Sequence, residues 1–215
     1  DVIPHVIDRP ALPAQPKAPL PLTGNFTYTD EFEEEVLPLH WLTVRIPAQK
    51  AYRLENGELV LEARADGVGS PGQPSFLARR QQHTNAEAYT EVSFVPEDSD
   101  DEAGIAAFQN DAAYYALGLS MSEDGKAIVR LRKRAGDATD KDGEIVAEVP
   151  AAAPLGASLK LRIVSRGPEI DFYQAARGDD WEPVALGEDS TILSTEKAGG
   201  FVGTLLGVYA QSAGD

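Results

Sequence analysis

Short segments in which apolar and polar residues alternate recur along most of this chain, and they limit its fold more than any other feature. Examples lie at residues 58–63, 126–133 and 158–164. A period of two places alternate side chains on opposite faces of a β-strand. From Ile128 to Arg132 the pattern predicts an apolar row facing the core and a basic row facing water. The chain from residue 26 onward is therefore expected to be all-β.

The residues between these segments are typical of tight turns. Asn56-Gly57, Asp124-Gly125 and Asp142-Gly143 each lie between strand-like runs, and such pairs tolerate the positive φ angles of β-hairpin turns. No amphipathic helix of about ten or more residues is predicted, and the acidic residues 30–36 allow at most a turn or two of helix. Roughly 12 strands are expected, enough for a two-sheet antiparallel β-sandwich.

A proline-rich arm precedes the predicted sandwich. Residues 1–24 contain prolines at positions 4, 10, 13, 16, 19 and 21. Proline fixes its own φ and favours an extended conformation before it, which predicts a linker or extended arm over residues 1–24 and a sandwich domain over residues 25–215. The chain begins at Asp1 without an initiator methionine, so we expect it to be part of something longer.

Net charge argues against several kinds of partner. The formal charge of the 215-residue chain is −16, which repels phosphate backbones and anionic headgroups, so neither nucleic acid nor a membrane is expected as a partner. Neutral ligands such as sugars are compatible with it. The chain has no cysteine, which excludes disulfides and thiolate metal sites. These features leave the compartment open, with a periplasmic or extracellular location preferred.

Several stretches resemble one protein family. They are residues 28–32 (YTDEF), 39–47 (LHWLTVRIP), 75–83 (SFLARRQQH), 103–110 (AGIAAFQN) and 199–209 (GGFVGTLLGVY). Together they resemble the C-terminal β-sandwich domain of family 43 glycoside hydrolases of the β-xylosidase and α-arabinofuranosidase type. The resemblance implies a concanavalin-like jelly roll that packs beside a five-bladed catalytic propeller.

The resemblance also implies what the chain does. The family carries its catalytic carboxylates in the propeller, so this chain is expected to have no catalytic residue of its own and to be an accessory module of a xylan-degrading glycoside hydrolase. It would help shape a site for xylo- or arabino-oligosaccharides, with no cofactor required. The alternative is a free-standing carbohydrate-binding or lectin-like module, which needs its own groove with exposed aromatic rings.

The chain departs from the family pattern in two places. Family members place an aromatic side chain of the loop before the 75–83 segment at the mouth of the propeller's pocket, whereas residues 66–74 (DGVGSPGQP) contain none. The resemblance therefore leaves Gln73, backbone groups or the neighbouring Phe76 for any role at that pocket. The family also has one more strand after the 199–209 segment, and we expect this strand to be missing.

Polar side chains are concentrated at the end of the 75–83 segment. They are Arg79, Arg80, Gln82 and His83. Planar guanidinium and amide groups suit hydrogen bonds to sugar hydroxyls or to the propeller. Alternation predicts that the odd-numbered residues, with Gln81, share one face and that the even-numbered residues share the other. The alternative is an internal salt-bridge network with carboxylates such as Glu87 or Glu91.

Two further segments are candidate sites. Trp181, in a hairpin expected to be exposed, is the preferred residue for stacking on a sugar ring, while Trp41 is expected to pack inside. Residues 169–174 (EIDFYQ) resemble the catalytic strand of family 16 glycoside hydrolases, but Gln174 replaces the third acid. An amide cannot donate and recover a proton, so an ordinary strand is expected there.

Acidic residues suggest one metal site. Asp30 and Glu31 fit a structural calcium of the kind found in many concanavalin-like sandwiches. Residues 97–102 (EDSDDE) lack the spaced pattern of a calcium loop and are expected to form a solvated turn. The three histidines are widely separated, so neither a zinc site nor a Ser-His-Asp triad is predicted.

Overall fold

The computed structural model describes residues 27–212, so the predicted arm over residues 1–24 lies outside the described residues. The chain divides into two units, Asp1–Glu31 and Phe32–Asp215, and every described strand belongs to the second unit. There are thirteen such strands, against the roughly 12 expected. They are β1 (Leu42–Thr43), β2 (Tyr52–Glu55), β3 (Glu58–Leu61), β4 (Ser75–Arg80), β5 (Asn85–Val92), β6 (Glu102–Asn110), β7 (Ala113–Met121), β8 (Ala127–Ala135), β9 (Glu144–Pro150), β10 (Leu159–Arg166), β11 (Glu169–Ala175), β12 (Glu182–Asp189) and β13 (Leu205–Gln211).

The strands form two sheets and a separate hairpin. The large sheet has the order β1-β4-β13-β6-β7-β8-β9, the small sheet has the order β12-β11-β10-β5, and β2 pairs with β3. All of these pairs are antiparallel, which confirms the predicted sandwich. The helical content of the described residues is a 3-10 turn at Ser190–Leu193 and the four-residue α1 at Thr195–Ala198, so the prediction of no long helix is also confirmed.

The predicted turns join paired strands. Asn56 and Gly57 have φ angles of 54° and 78° and connect β2 to β3, as expected for a two-residue hairpin in which both central residues have positive φ. Gly125, with φ of 80°, lies in the turn between β7 and β8, and Gly143, with φ of 74°, directly precedes β9. The turn residues in the sequence therefore located these hairpins correctly.

The main core lies between the two sheets. Leu117 and Leu131 of the large sheet and Leu161 and Phe172 of the small sheet are completely buried there. Burial of side chains of this size contributes about 1.5–3 kcal/mol each relative to exposure in water. The apolar rows of the alternating segments thus face each other across the sandwich.

A second apolar cluster covers the outer face of the large sheet. It includes Phe76, Phe108 and Tyr209 from strands and Val68 from the 66–74 loop. The loop approaches the sheet so closely that a Cβ atom at Gly69 would lie 2.8 Å from Tyr114 Cε1 on β7. The large sheet is therefore covered on both faces, which sequence alternation did not reveal.

The segments that cover the outer face of the large sheet also shield the basic side chains of β8 from water. The Arg130 and Arg132 side chains are only 8% and 13% exposed, and both lie within ion-pair distance of the buried Glu102 carboxylate, at 3.9 and 3.1 Å. The prediction that this row faces water was wrong, because alternation tells which face a side chain occupies but not whether another segment covers that face.

Candidate functional site

The polar residues after β4 border an open depression. Its volume is about 210 Å³, and it is lined by Gln81, Gln82, His83, Thr84 and Thr204. The Gln81 backbone N–H donates to the Thr204 carbonyl over 2.9 Å, and Gln81 Nε2 donates to the His83 carbonyl over 2.8 Å. Because the Gln82 and His83 side chains are exposed, the depression offers amide and imidazole groups to a ligand or a partner surface.

The predicted alternation along residues 79–83 holds only for its first two members. Strand β4 ends at Arg80, since residues 81–84 carry the chain from the large sheet to β5 in the small sheet. Arg79 is half-buried and Arg80 is exposed, as expected for neighbours on opposite faces of a strand. The carboxylates considered as alternative partners have other contacts: Glu87 pairs with Arg162 at 2.6 Å, and Glu91 accepts a hydrogen bond from Ser158.

An exposed aromatic ring lies beside this depression. Residues 199–203, here called the Phe201 loop, present Phe201 with 99% and Val202 with 51% of their surface exposed. Arg80 donates a hydrogen bond to the Val202 carbonyl, which joins the loop to the end of β4. Sequence reasoning missed Phe201, although an aromatic residue between glycines is a signal for an exposed loop tip.

The segment that leads into the Phe201 loop is held in place by two contacts. Asn110 Nδ2 donates to the Ala198 carbonyl over 2.8 Å. The loop follows α1, where Lys197 Nζ lies 2.8 Å from the Asp189 carboxylate, and donation from Lys197 and Thr191 lowers the pKa of Asp189 to about 2. The backbone of the loop can reach its conformation because Gly199, Gly200 and Gly203 have φ angles of 71–73°.

Gln73 and Phe76, which the resemblance left for the role at the pocket, have structural contacts. Gln73 Oε1 accepts the Ala48 backbone N–H over 3.0 Å, and the Gln73 N–H donates to the Asp66 carboxylate over 2.8 Å. Phe76 is 2% exposed and lies 5.4 Å from Phe108, measured between ring centroids. The structure therefore places Phe76 in the apolar cluster on the large sheet rather than at an accessible surface.

Trp181 lies in the hairpin between β11 and β12, as expected, but it is half-buried. Its ring centroid is 6.2 Å from that of Tyr89, in an edge-to-face arrangement, and the Arg162 guanidinium is 5.1 Å from the Trp181 centroid. Trp41 is also half-buried, 5.8 Å from the Phe32 ring. Sequence reasoning did not place Tyr89 or Arg162 beside Trp181, because strand pairing brings them together from distant positions.

The 97–102 segment is only partly the solvated turn that was predicted. Glu97, Asp98 and Asp100 are exposed, whereas Asp101 and Glu102 are 4% and 0% exposed. Asp101 accepts backbone N–H groups of the turn. Glu102 faces the covered side of the large sheet, where burial raises the pKa of its carboxyl group although Arg132 opposes that shift.

The family 16-like segment forms an ordinary strand. Gln174 is 3% exposed; its Nε2 donates to the Pro150 carbonyl and its Oε1 accepts the Ala152 N–H, each over 2.9 Å. Both ends of the amide are thus used to connect β11 to the end of β9. This supports the prediction of a structural strand.

The metal prediction has limited support among residues 27–212. Asp30 accepts a hydrogen bond from the Tyr28 hydroxyl over 3.0 Å. In this part of the chain, no group of three or more His, Asp or Glu side chains is placed to hold a metal ion. The calcium site at Asp30 and Glu31 stays a prediction. The same residues contain no helix that is long and apolar enough to cross a membrane.

Curated relatives match most of the chain. It is 32% identical over 164 residues to xylosidase/arabinosidase 43B of Humicola insolens, which covers 73% of this chain and 30% of that protein. It is 30% identical over 191 residues to the non-reducing end α-L-arabinofuranosidase BoGH43B of Bacteroides ovatus, which covers 86% of this chain and 34% of that protein. The chain thus spans about a third of the length of these relatives.

Solved structures match the fold, and the chain again spans little more than a third of the length of each of them. A GH43_12 protein retrieved from a capybara gut metagenome has a TM-score of 0.76 and 27% identity, over 88% of this chain and 35% of that one. The Bacteroides ovatus xyloglucan-locus GH43B has a TM-score of 0.75 and 26% identity, over 90% of this chain and 38% of that one. Residues 29–215 match a family described as the β-xylosidase C-terminal concanavalin A-like domain, and the chain belongs to that family.

Proposed function

We propose that this chain packs on a catalytic five-bladed propeller of a family 43 glycoside hydrolase and helps shape its pentoside-binding site through the Phe201 loop and the adjoining depression. The observation that carries this proposal is the exposure of Phe201, 99% of whose surface meets water. Exposed apolar groups rimmed by polar residues are typical of surfaces that another protein or a ligand covers. The substrate expected at that site is a xylo- or arabino-oligosaccharide.

The surroundings of Phe201 support contact with both a protein and a sugar. The Phe201 and Val202 side chains supply apolar surface, and burial of a phenylalanine side chain is worth about 1.5–3 kcal/mol. Beside them, Gln82 and His83 supply hydrogen-bonding groups, which suit sugar hydroxyls. The role that the resemblance gave to the 66–74 loop is therefore assigned in this proposal to the Phe201 loop.

The names of the relatives support the substrate class. One is called a xylosidase/arabinosidase and another a non-reducing end α-L-arabinofuranosidase. About two thirds of each relative lies outside the match, which leaves room for a catalytic domain. In this chain, the amide of Gln174 stands where the resemblance to family 16 would require an acid, so catalysis by this strand is not proposed.

The proposal is tested by hydrolysis of aryl β-xylosides and aryl α-arabinofuranosides. The chain alone should give no hydrolysis, and adding a family 43 catalytic propeller as a second chain should give activity that exceeds that of the propeller alone. Phe201→Ala should reduce this gain about tenfold or more. Ile145→Ala, which removes another exposed apolar side chain, 51% exposed on β9, should leave it unchanged.

Two results would overturn the proposal. Hydrolysis by the chain alone would show that it carries its own catalytic groups. A propeller whose activity and elution volume in size-exclusion chromatography do not change when the chain is added would show that the two do not associate.

A further inference from the structure

The outer face of the small sheet carries a row of rings that the accessory role does not use. Tyr89 on β5 and Tyr173 on β11 both lie directly opposite Arg162 on β10, so the three side chains form one row across three strands. Trp181 completes the group from the residue before β12. We call these four residues the aromatic platform.

The platform is built by stacking around the Arg162 guanidinium. Its carbon lies 5.1 Å from the Trp181 ring centroid and 5.7 Å from that of Tyr173, within the range of a cation–π contact. Arg162 Nη2 pairs with Glu87 Oε2 at 2.6 Å, and this ion pair fixes the orientation of the guanidinium plane. Tyr89 stays 57% exposed although it is an aromatic residue in the middle of a strand.

One polar group on the platform lacks a partner. Arg162 Nε is buried and, among residues 27–212, has no hydrogen-bond partner. An unpaired buried donor costs roughly 1–3 kcal/mol. Arg162 keeps its position against the Trp181 and Tyr173 rings despite that cost, and Tyr89, at 57% exposed, offers the surface that a ligand can reach.

Charge on this face is locally balanced, although the chain as a whole is strongly acidic. Arg162 is paired with Glu87, and Arg166 with Asp171. Lys160 Nζ donates to the Gly178 carbonyl over 3.0 Å and ties down the hairpin that carries Trp181. Rings flanked by paired charges suit an uncharged, hydroxyl-rich ligand, because aromatic faces contact C–H surfaces and the ion pairs offer hydrogen bonds to hydroxyls.

The dimensions of the platform favour a chain of sugars over a single sugar. Tyr89 and Tyr173 are two strand spacings apart, about 10 Å, which is too far for one pyranose ring to contact both. Thr84, in the depression, precedes Tyr89 by five residues, a rise of about 17 Å along an extended strand. The platform is therefore separate from the surface proposed to meet the propeller.

We propose that the aromatic platform binds a neutral, β-linked pentose polymer of the xylan class along the outer face of the small sheet. The platform holds the polymer on the enzyme while a different surface of the same chain serves the propeller. The identity of the sugar, though not the site itself, rests on the proposed function.

The experiment measures binding of xylohexaose to the 215-residue chain by isothermal titration calorimetry, with maltohexaose as the α-linked control sugar. We expect saturable binding of xylohexaose and none of maltohexaose. Tyr89→Ala and Trp181→Ala should each weaken binding about tenfold, and Trp181→Phe should retain most of it. Ile145→Ala, which removes an exposed apolar side chain on β9 outside the platform, should bind as the unmodified chain does.

Tryptophan fluorescence provides a second readout, since the chain has only Trp41 and Trp181. Trp41→Phe should keep the fluorescence change on adding xylohexaose, and Trp181→Phe should abolish it while calorimetry still detects binding. Circular dichroism establishes that each variant folds.

Three results would overturn the inference: no saturable binding, equal affinity in the folded Tyr89→Ala and Trp181→Ala variants, or loss of binding in Ile145→Ala. None of these binding results contradicts the accessory function, because hydrolysis of small aryl pentosides with an added propeller does not require the platform. The aryl-pentoside assay with the Trp181→Ala variant separates the two proposals, because this variant lacks a ring of the platform but keeps the Phe201 loop.

Discussion

The hydroxyl of Tyr209 donates a hydrogen bond to the completely buried carboxyl group of Glu102. Tyr209 lies on the last described strand, inserted between β4 and β6, so the contact joins residues 107 positions apart in the sequence. Arg132 completes the group at 3.1 Å from Glu102 Oε2. A buried charge needs such partners because removing it from water is costly.

Replacing Glu102 should change how stability depends on pH. Burial raises the pKa of Glu102 above its ordinary value of 4.5, so the folded chain holds this proton more tightly than the unfolded chain does. The stabilising contribution of the protonated group is complete below about pH 4.5 and is lost as the pH rises through the folded-state pKa. Glu102→Gln should therefore gain free energy of unfolding relative to the unmodified chain as the pH rises.

Urea denaturation at a series of pH values from 4 to 8 measures this difference. Glu58→Gln is the control, because that side chain is exposed and lies on β3, outside the cluster around Glu102. A Glu102→Gln variant that loses stability relative to the unmodified chain with rising pH would mean that pairing with Arg132 outweighs burial and that the sign is wrong.

Gly118 leaves room for the cluster that Glu102, Tyr209 and Arg132 form. A Cβ atom at this position would lie 2.3 Å from Glu102 Cγ and 2.5 Å from Tyr209 Oη. We expect Gly118→Ala to destabilise the chain by about 1–3 kcal/mol, since overpacked interiors relax only partly. Gly167→Ala is the matched control, with open space around the new methyl group but a φ of 60°, and should cost about 1 kcal/mol. Equal losses in thermal unfolding would contradict the steric explanation.

The pKa of Asp189 should report how firmly the Phe201 loop is anchored. Its value of about 2 depends first on Lys197 and next on the Thr191 hydroxyl. Because the folded-state pKa is depressed, the stabilisation from Asp189 is present above about pH 4 and is lost as the pH falls towards 2. In an NMR titration, Lys197→Ala should move the pKa of Asp189 up towards 3.8. Lys126→Ala, which removes another exposed lysine, should leave the Asp189 titration unchanged.

The calcium prediction at Asp30 and Glu31 has a direct test. A bound ion stabilises the folded state in proportion to the logarithm of its concentration. Calcium should therefore raise the unfolding temperature, EDTA should lower it, and the double variant Asp30→Asn, Glu31→Gln should respond to neither. An unfolding temperature that is the same with calcium and with EDTA would refute the site.

Several parts of the candidate site could be predicted and others could not. The 75–83 segment marked the polar group that borders the depression, because its residue types are unusual at the end of a strand. Phe201 was overlooked, since a glycine-flanked aromatic residue is also compatible with a buried turn. The resemblance left Gln73 and Phe76 for a role at the pocket, whereas Gln73 Oε1 accepts the Ala48 N–H and Phe76 packs in the apolar cluster on the large sheet.

The all-β class, the positions of the hairpins and the inward-facing rows could be predicted from the sequence, because strand periodicity and positive-φ turns are local properties. The tertiary structure sets which segments cover the outer face of the large sheet, and therefore that Arg130 and Glu102 are buried and that Arg132 is only 13% exposed. It also decided that Tyr89, Arg162, Tyr173 and Trp181 meet on one face. Pairing between strands that are distant in the sequence sets both outcomes, and local turn patterns do not encode which distant strands become neighbours.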